Sequence, residues 1–357
     1  MYKKFFMGIA AVAALTLVSC SSDDLNSLSD NSSKNEAISF DGYLGRSAVA
    51  VNGSRGSELT KDALQNSDEG FGVFGNYMEE TETGTTTAYG ENLFKNQQVK
   101  YDKNKNPAEW TYTDTKYWPT EGHINFLAYA PYDASKQELI ANSKLKFNVT
   151  GQKDLLWANA KNQTKATNSG DKKVKFTFSH ALARIGYSLK QKEAYSSTSS
   201  KTTITVTSIK LVGSDPKGAF YTEGTFDLSK ENNGKNLWTI EENVTKQNFD
   251  WFTGSAVLTT DAANNNNAAD KYLFVIPQDF SATATNKLSV VVEYTVQTDG
   301  TAALKNKVTK PITANFLQGK AYTINLNIGL TPIEFDVDVV TGWDPTNGTP
   351  IDINSWE

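Results

Sequence analysis

Short runs in which apolar and polar residues alternate with a period of two recur along this 357-residue chain, and no other feature restricts its fold as much. Val174, Phe176 and Phe178 alternate with Lys175 and Thr177, while Ile333, Phe335, Val337 and Val339 alternate with Glu334, Asp336 and Asp338. Side chains two apart share one face of a strand, so each run has a dry face and a wet one. Ala37–Leu44, Phe71–Tyr77, Lys116–Pro119, Ile124–Pro131 and Leu155–Ala158 read as further strands in the first half. In the second half, Thr203–Val212, Gly218–Leu228, Lys271–Pro277, Leu288–Val296 and Ala321–Ile328 do the same. No stretch carries the pattern of a long amphipathic helix, and helix is expected only in short pieces such as Ser179–Ala183. Short strands broken by turns about every ten residues predict an all-β chain of sandwiches rather than an α/β enzyme scaffold.

The amino terminus makes a separate statement. Lys3 and Lys4 precede an apolar run, Phe5–Val18, that ends in Leu17-Val18-Ser19-Cys20. A basic start, a short apolar core and small residues before the cut predict a secretory signal over residues 1–19. The run is too short for a stable membrane span. The tetrapeptide resembles the bacterial lipobox, which assigns Cys20, the only cysteine, as the lipid attachment point. Several acyl chains anchor stably where one does not. Asp23 and Asp24 follow closely, similar to the acidic cluster that directs Bacteroidetes lipoproteins to the outer face of the outer membrane. Residues 20–36 are rich in Ser, Asp and Asn and read as a tether.

Removal of the signal leaves more chain than one core usually holds, which predicts two domains, 37–170 and 171–357, divided at the polar stretch 161–173. The stretch 45–69 reads as an exposed loop. With no cysteine left for disulfides, burial must hold both domains, and 18 Phe, 15 Tyr and 7 Trp are available to fill the cores. A net charge of −5 offers no basic surface for nucleic acid. Only two histidines, His123 and His180, are present. No phosphate loop, nucleophile elbow or zinc motif is found, so no catalytic residue, cofactor or metal is expected. His180 reads as closing the turn after strand 174–178. Asp102-x-Asn104-x-Asn106 opens like a calcium loop, but Pro107 replaces the glycine such a loop needs, and it reads as a polar turn. The acids 334, 336 and 338 read as a solvated strand face. An alternative function is glycan binding by a surface lipoprotein that does not polymerise, with Trp110, Trp157, Trp238 or Trp251 stacking on sugar rings.

The order of several motifs resembles the Bacteroidales fimbrillin family. These are Ala37-Ile38-Ser39-Phe40, Phe71-Gly72-Val73-Phe74, Tyr117-Trp118-Pro119, Phe126-Leu127-Ala128-Tyr129-Ala130-Pro131, Phe176 to Ile185, Phe274-Val275-Ile276-Pro277 and Gly319 to Trp343. The resemblance implies two tandem transthyretin-like (Greek-key) β-sandwich domains in a subunit of a type V pilus. It implies an outer-membrane lipoprotein whose partners are other fimbrial subunits and a host protein or glycan receptor. It also implies a leader strand, here Ile38, Phe40, Tyr43 and Leu44, that an arginine-specific protease removes. By the same pattern the cut falls at Arg55, within Ser54-Arg55-Gly56, or second at Arg46. A strand from a neighbouring subunit then fills the groove. The carboxyl end, with Ile351, Ile353 and Trp356 but also Pro350, makes a thin donor strand.

Overall fold

Alternation becomes strand at nearly every place it occurs. The computed structural model describes residues 36–44, 59, 61–78, 92–136, 138–168, 173–197, 200–231, 236–260, 272–331 and 336–341. In chain order the elements are β1 (Ser39–Leu44), α1 (Lys61–Asn66), β2 (Phe71–Met78), β3 (Asn92–Asp102), β4 (Glu109–Thr111), β5 (His123–Ala130), β6 (Lys144–Asn148), β7 (Leu156–Gln163) and β8 (Lys173–His180). Then follow β9 (Ala183–Gln191), β10 (Thr202–Gly213), β11 (Phe220–Tyr221), β12 (Glu223–Asp227), β13 (Trp238–Thr239), β14 (Lys246–Gln247), β15 (Phe249–Val257) and β16 (Leu273–Val275). The last are β17 (Gln278–Asp279), β18 (Leu288–Thr298), β19 (Leu304–Ile312), β20 (Asn315–Phe316), β21 (Ala321–Ile328) and β22 (Asp336–Thr341). Among the described residues the fold is all-β apart from α1.

Seven strands of the first half form one sheet in the order β1-β8-β7-β5-β2-β3-β4. All its pairings are antiparallel except β1 with β8, which run parallel from Ser39 opposite Lys173 to Leu44 opposite Phe178. Its inner face buries Phe71, Val73, Phe94, Phe126, Val174 and Phe176 in one core. Gly72 in β2 has a packing reason: a Cβ there would lie 2.5 Å from the Tyr129 ring. The Tyr129 hydroxyl in turn donates to Asn96 Oδ1 at 2.7 Å, tying β5 to β3.

Two four-stranded sheets, β15-β10-β18-β19 and β16-β9-β21-β22, sandwich a second core in the other half. β10 and β18 contribute Ile204, Val206, Val290 and Val292, and β9 and β21 contribute Ile185, Leu189, Ile324 and Leu326. β21 runs parallel to β9 and antiparallel to β22. Val337 and Val339 of β22 pack against this core, on the apolar side their alternation predicts; Ile333, Glu334 and Phe335 lie outside the described residues.

A third core joins the halves. β6 of the first half pairs with β12 of the second, Lys144 opposite Asp227 through Asn148 opposite Glu223. Leu145, Phe147 and Trp157 meet Phe226, Trp238 and Phe274 there. Phe226 sits between two indoles, 5.3 Å from Trp157 and 5.2 Å from Trp238. The Gln152 amide adds a clamp by donating to Phe274 O at 3.1 Å and accepting from Phe274 N at 2.9 Å.

Four expectations need correction. The polar stretch 161–173 is not a link between sheets: β7 runs on to Gln163, β8 begins at Lys173, and both lie in the seven-stranded sheet. A boundary at residue 170 would therefore cut that sheet, because polarity marks any exposed turn as readily as a linker. Ser179–Ala183 is the passage from β8 to β9, with no helix. The stretch 45–69 is not loop throughout, since Lys61–Asn66 is α1 with Leu64 buried; a single buried residue in six leaves no periodicity to read. Lys116–Pro119 contributes only the isolated bridge of Tyr117 to Ala37.

Phe226→Ala should cost about 3–5 kcal/mol. Because both halves feed the cluster around this ring, calorimetry should show one melting transition moved to lower temperature. Two transitions with only one displaced would show that the halves melt separately.

Candidate functional site

β1 is an edge strand whose inner face is fully buried. Ile38 and Phe40 are each 1% exposed. The Phe40 ring lies in a cage of aromatics, with centroid distances of 5.4 Å to Phe94, 5.5 Å to Tyr112, 5.5 Å to Phe126 and 5.7 Å to Phe176. Two residues on, Gly42 faces the same way, and a Cβ there would just touch Phe71 at 3.4 Å and Trp110 at 3.5 Å. The side chains of Tyr43 and Leu44, though their backbone belongs to β1, lie outside the described residues.

The backbone around β1 is tied on both sides. One side is the parallel ladder to β8. On the other, Ile38 N donates to Lys116 O at 2.8 Å and Trp118 N donates to Glu36 O at 3.2 Å. The segment after β4 thus returns to the start of β1 and draws the two ends of the sheet together. Tyr112 secures this seam: its hydroxyl donates to Ile38 O at 2.7 Å and accepts from Lys116 N at 3.2 Å. Burial pushes this phenol up to about 12, against a smaller opposing effect of the Lys116 amide, so it remains a donor at neutral pH. Glu36, just before β1, pairs with Lys165 at 3.1 Å.

The chain on the far side of residues 45–58 is anchored independently. Leu59 N donates to Asp154 Oδ2 at 2.9 Å. The same buried carboxylate lies 2.9 Å from His180 Nδ1. His180 is the last residue of β8, and its ring ties that end of the strand to Asp154 instead of closing a turn after residue 178. The sequence signal for that partner was slight, a single acid ahead of the apolar run Leu155-Leu156-Trp157. Residue 59 stays fastened to the body whether or not β1 does.

Residues 59–343 match the sequence model of the Fimbrillin-like family, well over half of the chain. The chain belongs to the fimbrillin-like family. The fold of this fimbrillin-like chain is similar to that of a fimbrial protein from Bacteroides vulgatus ATCC 8482, with a TM-score of 0.60 at 20% identity, covering 86% of this chain and 99% of that one. Two crystal structures described as "putative cell adhesion protein" are also similar. The one from Bacteroides uniformis ATCC 8492 has a TM-score of 0.40 at 17% identity, covering 76% of this chain and 90% of that one. The one from Bacteroides ovatus ATCC 8483 has a TM-score of 0.44 at 14% identity, covering 87% and 99%. No curated protein matches.

The region shared with the fimbrillin-like family begins at residue 59, so β1 and the arginines Arg46 and Arg55 precede it. Both arginines, Cys20 and the signal over 1–19 lie outside the described residues. The remaining arginine, Arg184, is buried in β9, its guanidinium 4.3 Å from the centre of the Tyr272 ring. The tryptophans offered for sugar stacking are all core residues: Trp110, Trp157, Trp238 and Trp251 are each at least 93% buried. Their rings fill the sandwiches, so stacking on a glycan through them does not hold. Asp102 to Asn106 is the turn between β3 and β4, closed by Asn104 N donating to Asp102 Oδ1 at 2.9 Å. A cavity of about 750 Å³ where β6 meets β12 and β13 carries Lys144, Lys161 and Lys230 beside Asp227. The Asp227 carboxylate is committed to the Ser229 amide and hydroxyl at 3.0 and 2.7 Å.

Phe40→Ala should destabilise the chain by about 3–5 kcal/mol through the cavity it leaves, measured by denaturant unfolding. The raised Tyr112 phenol has a sign that can be checked. Its proton is held more tightly in the folded state, so its stabilisation is complete below pH 10 and is lost as pH rises toward 12. Tyr112→Phe should flatten the loss of stability across that window while costing about 1 kcal/mol at neutral pH.

Proposed function

We propose that this chain is a structural and adhesive subunit of a surface fimbria, non-enzymatic, exported as a lipoprotein and assembled by exchange of β1 for a strand of another subunit. The observation that carries the reading is that β1 behaves as a plug. It is short, lies at one end of its sheet, and is joined to the body through residues 45–58, which hold Arg46 and Arg55. Loss of the segment from Glu36 to Leu44 would unpair the edge of β8, the Lys116 carbonyl and the Trp118 amide. It would also open an apolar groove floored by Phe94, Phe126 and Phe176. Unpaired backbone and an apolar trough together are what an added strand satisfies. With β1 in place the groove is closed, which keeps the subunit from pairing during export. Membership of the fimbrillin-like family supports the fimbrial part of the reading, and the leader Leu17-Val18-Ser19-Cys20 supports a lipid anchor in the outer membrane at Cys20. Other fimbrial subunits and a host protein or glycan receptor are the partners on this reading.

The amino-terminal sequence and intact mass of protein recovered from the cell surface test the reading. A start at Gly56, or at Ser47, without lipid is expected for the assembled form; only an acylated Cys20 start in recovered fimbriae would sink strand exchange. Cys20→Ala should abolish incorporation of labelled palmitate, and unchanged labelling would refute the anchor.

A further inference from the structure

The cavity where the two halves meet is lined by hydrogen-bond donors whose counterparts are missing. Its volume of about 750 Å³ is typical of ligand pockets, which form preferentially at such joints. We infer that it binds an oligosaccharide carrying carboxylate or sulfate groups. Such a site gives the adhesive part of the fimbrial reading a place to act, and it depends neither on strand exchange nor on the lipid anchor.

Charge is the first ground. Lys144 reaches the cavity from β6, Lys161 from β7 and Lys230 from the segment after β12. None of the three forms an ion pair with an acid of the described residues. Among those residues two acids share the cavity, Asp227 and Glu231. The Asp227 carboxylate is taken up by the Ser229 amide and hydroxyl, which leaves exposed Glu231 as the open one. Hydrogen bonding is the second ground, because the acceptors of the walls are occupied. Asn125 Oδ1 accepts from Asn162 N at 2.8 Å, and Asn236 Oδ1 from Trp238 N at 3.1 Å. The carbonyls of Leu228 and Lys230 accept from the Asn159 amide at 2.8 and 2.7 Å, and Leu237 O accepts from Asp227 N at 3.3 Å. With each oxygen of Asn125 and Asn236 held by a backbone N–H, the Nδ2 group is the half left for a ligand. Neither Nδ2 has a partner among the described residues.

Walls of this kind select a ligand rich in acceptors and poor in obligatory donors. A peptide brings an N–H for nearly every carbonyl, and each one left unpaired in the cavity costs affinity. A sugar hydroxyl can accept and turn its own proton to water, while carboxylate and sulfate oxygens only accept. A lone inorganic anion would leave most of the volume to water. Trp238 stands at the back of the cavity, but its ring is buried and its Nε1 donates to Ala181 O at 2.7 Å, so it offers no stacking face. Recognition rests on the ammonium groups and the two amides.

Calorimetric titration of the mature chain tests this with tetragalacturonate, a sulfated tetrasaccharide, neutral maltotetraose, hexaglutamate and inorganic sulfate. At least one acidic saccharide should bind, more weakly as salt rises, and maltotetraose should bind at least about tenfold less tightly. Lys144→Gln, Lys161→Gln and Lys230→Gln should each weaken binding by about three- to fivefold. The melting temperature should stay in place, since none of the three has an ion pair to lose among the described residues. Glu231→Gln should act with the opposite sign and tighten binding, because it removes the open carboxylate. Lys305→Gln, at an exposed lysine of β19 outside the cavity lining, should change nothing. A loss at Lys305 equal to the others would reduce the effect to net charge and overturn the site. Hexaglutamate or sulfate binding as tightly as the saccharides would overturn the ligand class. No binding by either acidic saccharide would overturn the site and leave fimbrial assembly standing.

Discussion

The first half of the molecule converges on one aromatic ring carried by an edge strand. Phe40 touches rings from β3, β5 and β8 and the residue that seams the sheet shut, so four parts of the chain converge on it. In a chain with no disulfide to brace its cores, such convergence must come from burial. The segment around β1 contributes six residues of ladder and the deeply buried side chains of Ile38 and Phe40.

The second half is built differently, and the contrast bears on how the subunit could transmit force. Its two sheets form a self-sufficient sandwich around residues from β9, β10, β18 and β21. The third core then fixes that sandwich to the first sheet through β6 and β12, a shared ladder in addition to shared side chains. A joint made of ladder, indole packing and the Gln152 clamp resists bending far better than a polar linker, since every route to separation exposes both apolar surface and unpaired backbone.

The anchoring of Leu59 by Asp154 shows how the two sides of the arginine-bearing segment are treated differently. Before it, the chain is held by the ladder of β1 to β8, by the bonds of Ile38 to Lys116 and Tyr112 and by the cage around Phe40. After it, the chain is tied by a hydrogen bond to a buried carboxylate that also holds His180.

The sequence by itself determined the strand content, the buried alternate positions of β8 and β21, the apolar side of β22 and the strand that carries Ile38 and Phe40, because period-two patterning is a local consequence of one wet and one dry face. It missed β3, β15 and β19, whose lysines, glutamines and threonines dilute the pattern at exposed positions, and β6, where only Leu145 and Phe147 alternate. Only the tertiary structure decided that β8 pairs in parallel with β1 instead of opening the second half, and that β6 crosses to β12. It alone placed Trp110, Trp157, Trp238 and Trp251 in cores where they meet no ligand, and brought Asp154 to His180. Pairing partners far apart in the chain are chosen by which faces pack together, and no local pattern records that choice.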